Sequence, residues 1–177
     1  VQFVDGLGRV VQTKKDASVP PQPGAAPEPV MLVSGKQVFD FLGREAEGAE
    51  VAVLDIDGED AGETVLEAKA AGSPAVFSAR VDVTDQASVN GAVRAVEDAL
   101  PPVTVLANIA GITAATRFED ITLDEWERIF AVNVRGTFLV TQAVLPGMRE
   151  RGYGRIVNMS SVSGQRGGGV FGASHYS

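Results

Sequence analysis

Apolar and polar residues alternate in blocks along the chain from Val30 onward. Short runs of mainly aliphatic and β-branched residues predict strands, at Val30–Val33, Val51–Leu54, Ala75–Val81, Thr104–Leu106 and Arg155–Met159. The segments between them repeat apolar residues at helical spacing and predict helices, at Gln37–Glu47, Glu59–Ala71, Gln86–Leu100, a Thr122-capped segment to Asn133, and Gly136–Arg149. Strands that alternate with helices predict a doubly wound α/β fold, in which helices cover both faces of a parallel sheet of about five strands.

Residues at the element ends support these boundaries. Gly72 follows the second predicted helix, where a glycine is the usual stop. Pro101 and Pro102 close the third helix, because proline cannot continue one. Thr122 stands three residues before Glu125, which is the capping-box pattern for the start of the fourth helix.

Residues 1–29 differ from the remainder. Five of the nine prolines crowd between Pro20 and Pro29, a run that excludes a helix or a central strand and predicts an extended linker. Gly6 and Gly8 do not make a phosphate-binding loop, because no third glycine follows at the required spacing. We therefore interpret residues 1–29 as an N-terminal extension and residues 30–177 as the domain, which a chain of 177 residues is long enough to form.

Composition excludes several classes of function. The net charge of −8 argues against nucleic acid or an anionic membrane as partner, because both require a basic surface. The absence of cysteine and the single histidine argue against disulfides and against a thiolate or histidine metal centre. No apolar run in the sequence reaches membrane-spanning length, and no signal peptide begins the chain, so a cytoplasmic protein is expected.

The most informative segment is Gly154–Ser177. Its predicted strand runs into Ser160 and Ser161, and Tyr176 follows a Gly/Ser-rich loop. Ligands of open α/β sheets bind at the carboxyl ends of the strands, so hydroxyls and a phenol here favour an acid/base site. The alternative is a core strand followed by a flexible loop, in which the serines only satisfy backbone groups of a turn.

Four motifs agree with one family in order and spacing over residues 30–177. They are Asn108-Ile109-Ala110-Gly111, Asn133-Val134-Arg135-Gly136, Arg155-Ile156-Val157-Asn158-Met159-Ser160-Ser161 and His175-Tyr176-Ser177. These resemble the Asn-Asn-Ala-Gly turn, the Asn-x-x-Gly motif, the catalytic-serine strand and the start of the Tyr-x-x-x-Lys helix of the short-chain dehydrogenase/reductase family, classical type. The resemblance implies a Rossmann-type domain and NAD(P)-dependent hydride transfer between an alcohol and a carbonyl.

The resemblance also implies catalytic roles. Tyr176 is expected to be the acid/base, Ser161 to hydrogen-bond the substrate oxygen, and Asn133 to hold a water of the proton relay through a kink in its helix. An alternative alignment puts Phe171 and His175 at the Tyr and Lys positions, but a phenylalanine has no proton to give. On its own, Asn133 is equally typical of a solvent-facing helix position.

The same resemblance implies the cofactor contacts. The expected residues are Ser34, Gly35, Asp55, Ile56, Asp82, Val83, Asn108, Ala110 and Gly111. Asp55 favours NAD over NADP, because a carboxylate at the adenosine ribose repels a 2′-phosphate. Without the resemblance, Asp55 and Asp82 are equally ordinary acids that end a strand and begin a turn.

Two departures bear on activity. After Ser34-Gly35 the second and third glycines of the family's phosphate loop are missing, and Phe39, Asp40 and Phe41 place bulk and negative charge there. Lys36 offsets part of that charge. The catalytic lysine of the family falls beyond Ser177, so we expect either a fragment of a longer protein or a truncated relative.

Three functions therefore stay open. The first is the oxidoreductase, with a small alcohol or carbonyl compound as substrate and a homo-oligomer expected for the complete protein. The second is an inactive relative that acts by interaction, since the family commonly dimerises through the helices that correspond to Gly136–Arg149 and to the one that begins at Tyr176. The third is a regulatory module that keeps the adenosine half-site, Asp55 and Asp82, without hydride chemistry.

Overall fold

The computed structural model describes residues 49–161, with the side chains of residues 59 and 60 left out, and the backbone of three earlier strands, 2–4, 10–13 and 30–34. The predicted helix Gln37–Glu47 and the proline-rich segment lie outside the described residues. Gly35 and Tyr176, two of the expected site residues, lie outside them as well.

The described elements follow the predicted alternation. The strands are β1 Gln2–Val4, β2 Val10–Thr13, β3 Val30–Ser34, β4 Glu50–Asp55, β5 Val76–Arg80, β6 Val103–Asn108 and β7 Arg155–Asn158. The helices are α1 Gly58–Ala70, α2 Gln86–Ala99, the 3₁₀ turn Phe118–Asp120, α3 Leu123–Phe130, the π-helical turn Ala131–Gly136 and α4 Thr137–Glu150.

Five strands form one parallel sheet in the order β5-β4-β3-β6-β7. The chain runs outward from β3 to β5 on one side, then crosses to β6 and continues outward to β7 on the other. Strand order thus reverses between β3 and β6, which is the point where ligands bind in open α/β sheets. The predicted doubly wound parallel sheet is confirmed.

The core lies on both faces of this sheet. Successive residues of β4 alternate: Ala52 and Leu54 lie in a cluster with buried residues of α2 and α4. Val51 and Val53 lie in a second cluster, with Ala61 and Ala68 of α1. Because side chains alternate across a strand, this division shows that helices cover both faces.

A second, antiparallel pair joins β1 to β2, with Gln2 opposite Thr13 and Phe3 opposite Gln12. The sequence interpretation gave residues 1–29 only as an extension and did not predict this pair. Its physical basis is the hairpin pattern, two short apolar runs on either side of Gly6 and Gly8.

The predicted helix ends are confirmed at two positions. Gly72 has a φ of +90°, and its N–H bonds to the Lys69 carbonyl oxygen at 3.1 Å, as in a helix that ends on a left-handed glycine. At the start of α3, Thr122 Oγ1 accepts a hydrogen bond from the Glu125 N–H at 3.1 Å. The Glu125 carboxylate accepts a hydrogen bond from the Thr116 hydroxyl at 2.9 Å, so it anchors the preceding loop to the helix.

The two helices predicted on either side of Asn133 and Gly136 are one continuous helix, because the π-helical turn joins α3 to α4. Leu123–Glu150 is thereby 28 residues long and, by length and composition only, could cross a membrane, which the sequence pattern alone had not indicated. Four of its side chains pack into the sheet core instead, namely Leu139, Val140, Val144 and Met148. One face of this helix therefore packs on the sheet, while 22% of its apolar stretch is buried.

Strand β7 is an edge strand of the described sheet. It lies at the end of the sheet order, and Ile156 and Val157 are 37% and 45% exposed. No other described element covers its outer side. It is therefore an open edge within the described part of the chain.

Candidate functional site

Strand register brings the polar positions to one edge of the sheet. Ser34 lies opposite Leu54 of β4 and Asn108 of β6, and Asn108 lies opposite Asn158 of β7. All five strands are parallel, so their carboxyl ends and the turns that follow them share this edge. It contains the described members of the predicted site, on both sides of the point where strand order reverses.

Asp55 ends β4 opposite Arg80, the last residue of β5. Its Oδ1 accepts a hydrogen bond from the Asp57 N–H at 3.0 Å, which turns the chain before α1. The Arg80 Nε–H donates to the Ile56 carbonyl oxygen at 3.1 Å and holds the same turn from the neighbouring strand. The predicted turn role of Asp55 is therefore present, and its second carboxylate oxygen accepts no hydrogen bond from the described residues.

Asp82 begins the turn after β5. Its Oδ1 accepts two hydrogen bonds from Thr84, from the hydroxyl at 2.7 Å and from the backbone N–H at 2.9 Å. These bonds, with the nearby charges of Arg80 and Arg135, hold the pKa of the Asp82 carboxyl below its ordinary value of 3.8, against the opposing effect of burial. The carboxylate is therefore ionised and fixed, with Val83 next to it.

Asn108 ties the last two strands to α4. It is only 4% exposed, and its Nδ2 donates to the Thr141 hydroxyl at 3.0 Å and to the Asn158 Oδ1 at 2.9 Å. The Met159 N–H donates to the Asn108 carbonyl oxygen at 2.9 Å and extends the pairing beyond β7. Asn108 thus links strands β6 and β7 to α4. Its bond to the Met159 N–H also fixes the backbone just before Ser160 and Ser161.

Asn133 lies in the π-helical turn and holds the loop after β6. Its Oδ1 accepts from the Ile112 N–H at 2.8 Å and its Nδ2 donates to the Ile112 carbonyl oxygen at 3.0 Å. Gly111 packs closely on this amide, since a Cβ there would lie 3.5 Å from Asn133 Oδ1. A π-helical turn lies where a kink was predicted, and the proton-relay role of Asn133 stays a prediction. The side chain bonds to the Ile112 backbone and does not face solvent.

The structure describes only some of the remaining predicted site residues. Ser161 follows β7 at the exposed end of the described chain. Ser34 is described by its backbone, and Gly35 and Tyr176 lie outside the described residues. The arrangement of Ser161 and Tyr176 as a catalytic pair therefore stays a prediction.

Sequence reasoning gave no role to Ile112, Thr141, Thr84 or Arg80. Each of them forms a hydrogen bond either with a residue distant in sequence or within a turn. Amino-acid composition predicts neither kind of bond. Thr84 had a usable signal, because a threonine two residues after an aspartate is typical of an Asx turn. Thr141 had none, since its partner Asn108 is 33 residues away.

Comparison with known proteins gives the family. The model of the short chain dehydrogenase family matches residues 41–177. An uncharacterised short-chain type dehydrogenase/reductase of Sinorhizobium fredii is 42% identical over 130 residues, which are 73% of this chain and 51% of that protein. A protein named inactive 2-(S)-hydroxypropyl-CoM dehydrogenase 2, of Xanthobacter autotrophicus, is 44% identical over 117 residues, 66% of this chain and 49% of that protein.

The fold agrees with a solved structure of the same kind. The crystal structure of NAD⁺-bound xylitol dehydrogenase superimposes with a TM-score of 0.74 at 30% identity, over 83% of this chain and 59% of the other. The chain spans about half the length of the curated relatives it matches. With its parallel sheet, its Asn133 π-helical turn and the match of the family model over residues 41–177, the chain belongs to the short-chain dehydrogenase/reductase family.

Proposed function

We propose that the chain is the cofactor-binding part of an NAD(P)-dependent oxidoreductase that interconverts an alcohol and a carbonyl. The observation that carries the proposal is the convergence of Asp55, Asp82 and the Asn108–Gly111 turn at the carboxyl edge of the sheet, around the strand-order reversal. In a protein of this family that edge is where a dinucleotide is expected. The bound nicotinamide would supply or accept the hydride.

The adenosine end of the site has donors and acceptors of the right kind. The second carboxylate oxygen of Asp55, which accepts no hydrogen bond from the described residues, would accept from ribose hydroxyls, and the Asp82 carboxylate with the adjoining Val83 backbone would meet the adenine edge. Asp82 is already fixed by Thr84, so binding would cost little ordering of this side chain. These groups fit an adenine nucleotide.

Asp55 supports a preference for NAD. A carboxylate at the ribose repels a 2′-phosphate, as expected for NAD-binding sites. Arg80, opposite Asp55 in register, is a cation that would favour NADP instead, and its Nε–H donates to the Ile56 carbonyl oxygen. The preference for NAD rests on the Asp55 carboxylate. We therefore propose NAD as the cofactor.

The catalytic end is proposed from Ser161, Tyr176 and Asn133. Tyr176 would exchange the proton of the substrate oxygen, and Ser161 would hydrogen-bond that oxygen. Asn133 would hold a relay water, at the turn where its carbonyl oxygen accepts a hydrogen bond from the Thr137 hydroxyl at 2.9 Å. The substrate would be a small alcohol or carbonyl compound.

A second function has its own support. The phosphate loop after Ser34 departs from the family pattern, and a relative 44% identical to this chain is named as inactive. The Asp55 and Asp82 carboxylates, each held by a hydrogen bond within its own turn, nevertheless support an adenosine site. The alternative is therefore a nucleotide-binding or interaction module without turnover.

A homo-oligomer is proposed for the complete protein. Trp126 and Phe130 stack with their ring centroids 4.5 Å apart, and Val134 and Phe138 beside them are 49% and 58% exposed. These residues line a shallow, open depression on the surface of the continuous helix Leu123–Glu150. An apolar helix face of this kind supports burial against a second copy. We also propose a cytoplasmic location, because a sequence without cysteine fits a reducing compartment. The acidic composition supports the proposal of no nucleic-acid or membrane partner.

Titration with NADH and NADPH, followed by the fluorescence anisotropy of the nucleotide, tests the proposal. We expect saturable binding of NADH that exceeds the binding of NADPH. Binding of NADH without turnover of any alcohol or carbonyl would favour the module, whereas a folded chain that binds neither nucleotide would contradict both the enzyme and the nucleotide-binding module.

A further inference from the structure

Gly136 lies against Val83 with no room for a side chain. A Cβ built on Gly136 would lie 2.8 Å from Val83 Cγ2 and 3.1 Å from Val83 Cβ, and real Cβ atoms essentially never approach closer than 3.0 Å. Both residues are buried, so the neighbour has no open space into which to move. The glycine thus allows the π-helical turn to rest directly on the turn after β5.

The backbone at Gly136 does not itself require glycine. Its φ of −59° and ψ of −50° are ordinary right-handed helical values that every L-residue adopts. Alanine is the better residue inside a helix, so local preference favours a side chain here. The contact with Val83 is therefore the feature that glycine serves.

Val83 directly follows Asp82, the carboxylate that Thr84 holds by two hydrogen bonds. Arg135, the neighbour of Gly136, acts electrostatically on the same carboxyl. The π-helical turn therefore meets the Asp82 turn by packing at Gly136 and by charge at Arg135. Three residues before Gly136, Asn133 holds Ile112 in the next loop along the sheet edge.

We propose that Gly136 is a positioning residue for the nucleotide site: its missing side chain seats the π-helical turn on Val83 and so sets the position of the Asp82 turn that would receive adenine. This inference rests on the proposed function for the identity of the ligand. The packing of Gly136 on Val83 is observed in the structure and does not depend on the ligand. One short turn thereby fixes two of the loops that border the site, the one after β5 and the one after β6.

The test is Gly136→Ala in the full chain, with Gly91→Ala as the matched control. Gly91 is also a helical glycine, but a Cβ there meets nothing within 4 Å. The first readout is amide hydrogen exchange by NMR at Thr84 and Asp85, whose N–H groups bond to Asp82. The second is the Kd for NADH.

Gly136→Ala is expected to speed exchange at Thr84 and Asp85 about tenfold and to raise the Kd for NADH about tenfold, with the amides of Val93 and Val96 unchanged. The double variant Val83→Ala/Gly136→Ala removes the clashing Cγ2 and is expected to restore slow exchange. Should Gly136→Ala not fold, a double variant that folds would support the Gly136–Val83 contact. A double variant that also does not fold would contradict that contact.

Unchanged exchange at Thr84 in a folded Gly136→Ala variant, or exchange that rises equally throughout α2, would overturn the inference. An unchanged NADH affinity in a variant whose Thr84 exchange has risen would overturn its link to the nucleotide. A wild-type chain that binds no NADH contradicts the proposed function and the nucleotide link together, and the exchange data still decide the packing role.

Discussion

Asn133 holds Ile112 at both of its backbone groups, with Oδ1 2.8 Å from the Ile112 nitrogen and Nδ2 3.0 Å from its carbonyl oxygen. The two residues are 21 positions apart in sequence. A primary amide matches this pair of groups because it carries one acceptor and one donor side by side. The clamp connects the helix irregularity to the loop that follows β6.

Asn133→Ala removes both bonds and is expected to lower the free energy of unfolding by about 1–3 kcal/mol, because two partly buried backbone groups lose their partners. Asn133→Asp is expected to destabilise at least as much, since it cannot donate to the Ile112 carbonyl and places a charge beside it. Urea unfolding measures both. Asn90→Ala on α2 is the control, expected to be neutral or slightly stabilising; an Asn133→Ala variant as stable as that control would contradict the clamp.

The same substitution to aspartate is expected to affect stability strongly at Asn108 and little at Asn158. Asn108 is the buried donor, so Asn108→Asp sets a carboxylate oxygen against Asn158 Oδ1 and is expected to cost about 3 kcal/mol of stability at neutral pH. Asn158→Asp keeps the acceptor and charges it, at an exposed position, and is expected to change stability by less than about 0.5 kcal/mol. Urea unfolding at neutral pH compares them. Equal effects of the two substitutions would mean that the donor is assigned to the wrong residue.

The pKa of Asp82 predicts an acid dependence of stability. Because its folded pKa lies below its unfolded value, the ionised carboxylate stabilises the fold above about pH 4, and this contribution is lost as pH falls through the folded pKa. Thr84→Val removes the hydroxyl bond and is expected to raise the folded pKa toward 3.8, so less stability is lost on acidification. Carboxyl ¹³C titration measures the pKa. Thr84→Ser keeps the hydroxyl and is expected to match the wild type; a Thr84→Val pKa equal to that of Thr84→Ser would exclude the bond as the main cause.

Asp55 predicts the nucleotide preference. Asp55→Ala is expected to raise the Kd for NADH about tenfold, through loss of the ribose contact, and to reduce the discrimination against NADPH. Asp98→Ala makes the same change of net charge on α2 and is expected to leave both affinities unchanged. The two nucleotides are titrated in parallel. A parallel loss of NADH and NADPH affinity in Asp55→Ala would show that Asp55 does not read the 2′ position.

The fold follows from the sequence because its signals are local. Alternating apolar runs predict each strand of the parallel sheet, although β6 extends by a residue or more at both ends of the predicted Thr104–Leu106. Gly72 and Thr122 mark helix ends through their own backbone and side-chain chemistry, and both are confirmed. These features depend on neighbours along the chain.

The structural features that the sequence did not predict depend on contacts between segments that are distant along the chain. The π-helical turn joins what the pattern divides into two helices, and its contacts are Ile112 and Val83 in other loops. The exposure of Ile156 and Val157 depends on which strand lies beside β7, not on their own hydrophobicity. Likewise, the Thr141 hydroxyl becomes a partner of Asn108 only when α4 packs on β6.

The most direct test of the nucleotide site is the map of amide chemical shifts when NADH is added to the isotopically labelled full chain. The site predicts that the largest shifts fall in three groups along the carboxyl edge of the sheet: Asp55–Asp57, Asp82–Thr84 and Ala110–Ile112. Shifts confined to the Trp126–Phe138 face of the α3–α4 helix, or no shifts in a folded chain, would contradict a nucleotide site at this edge.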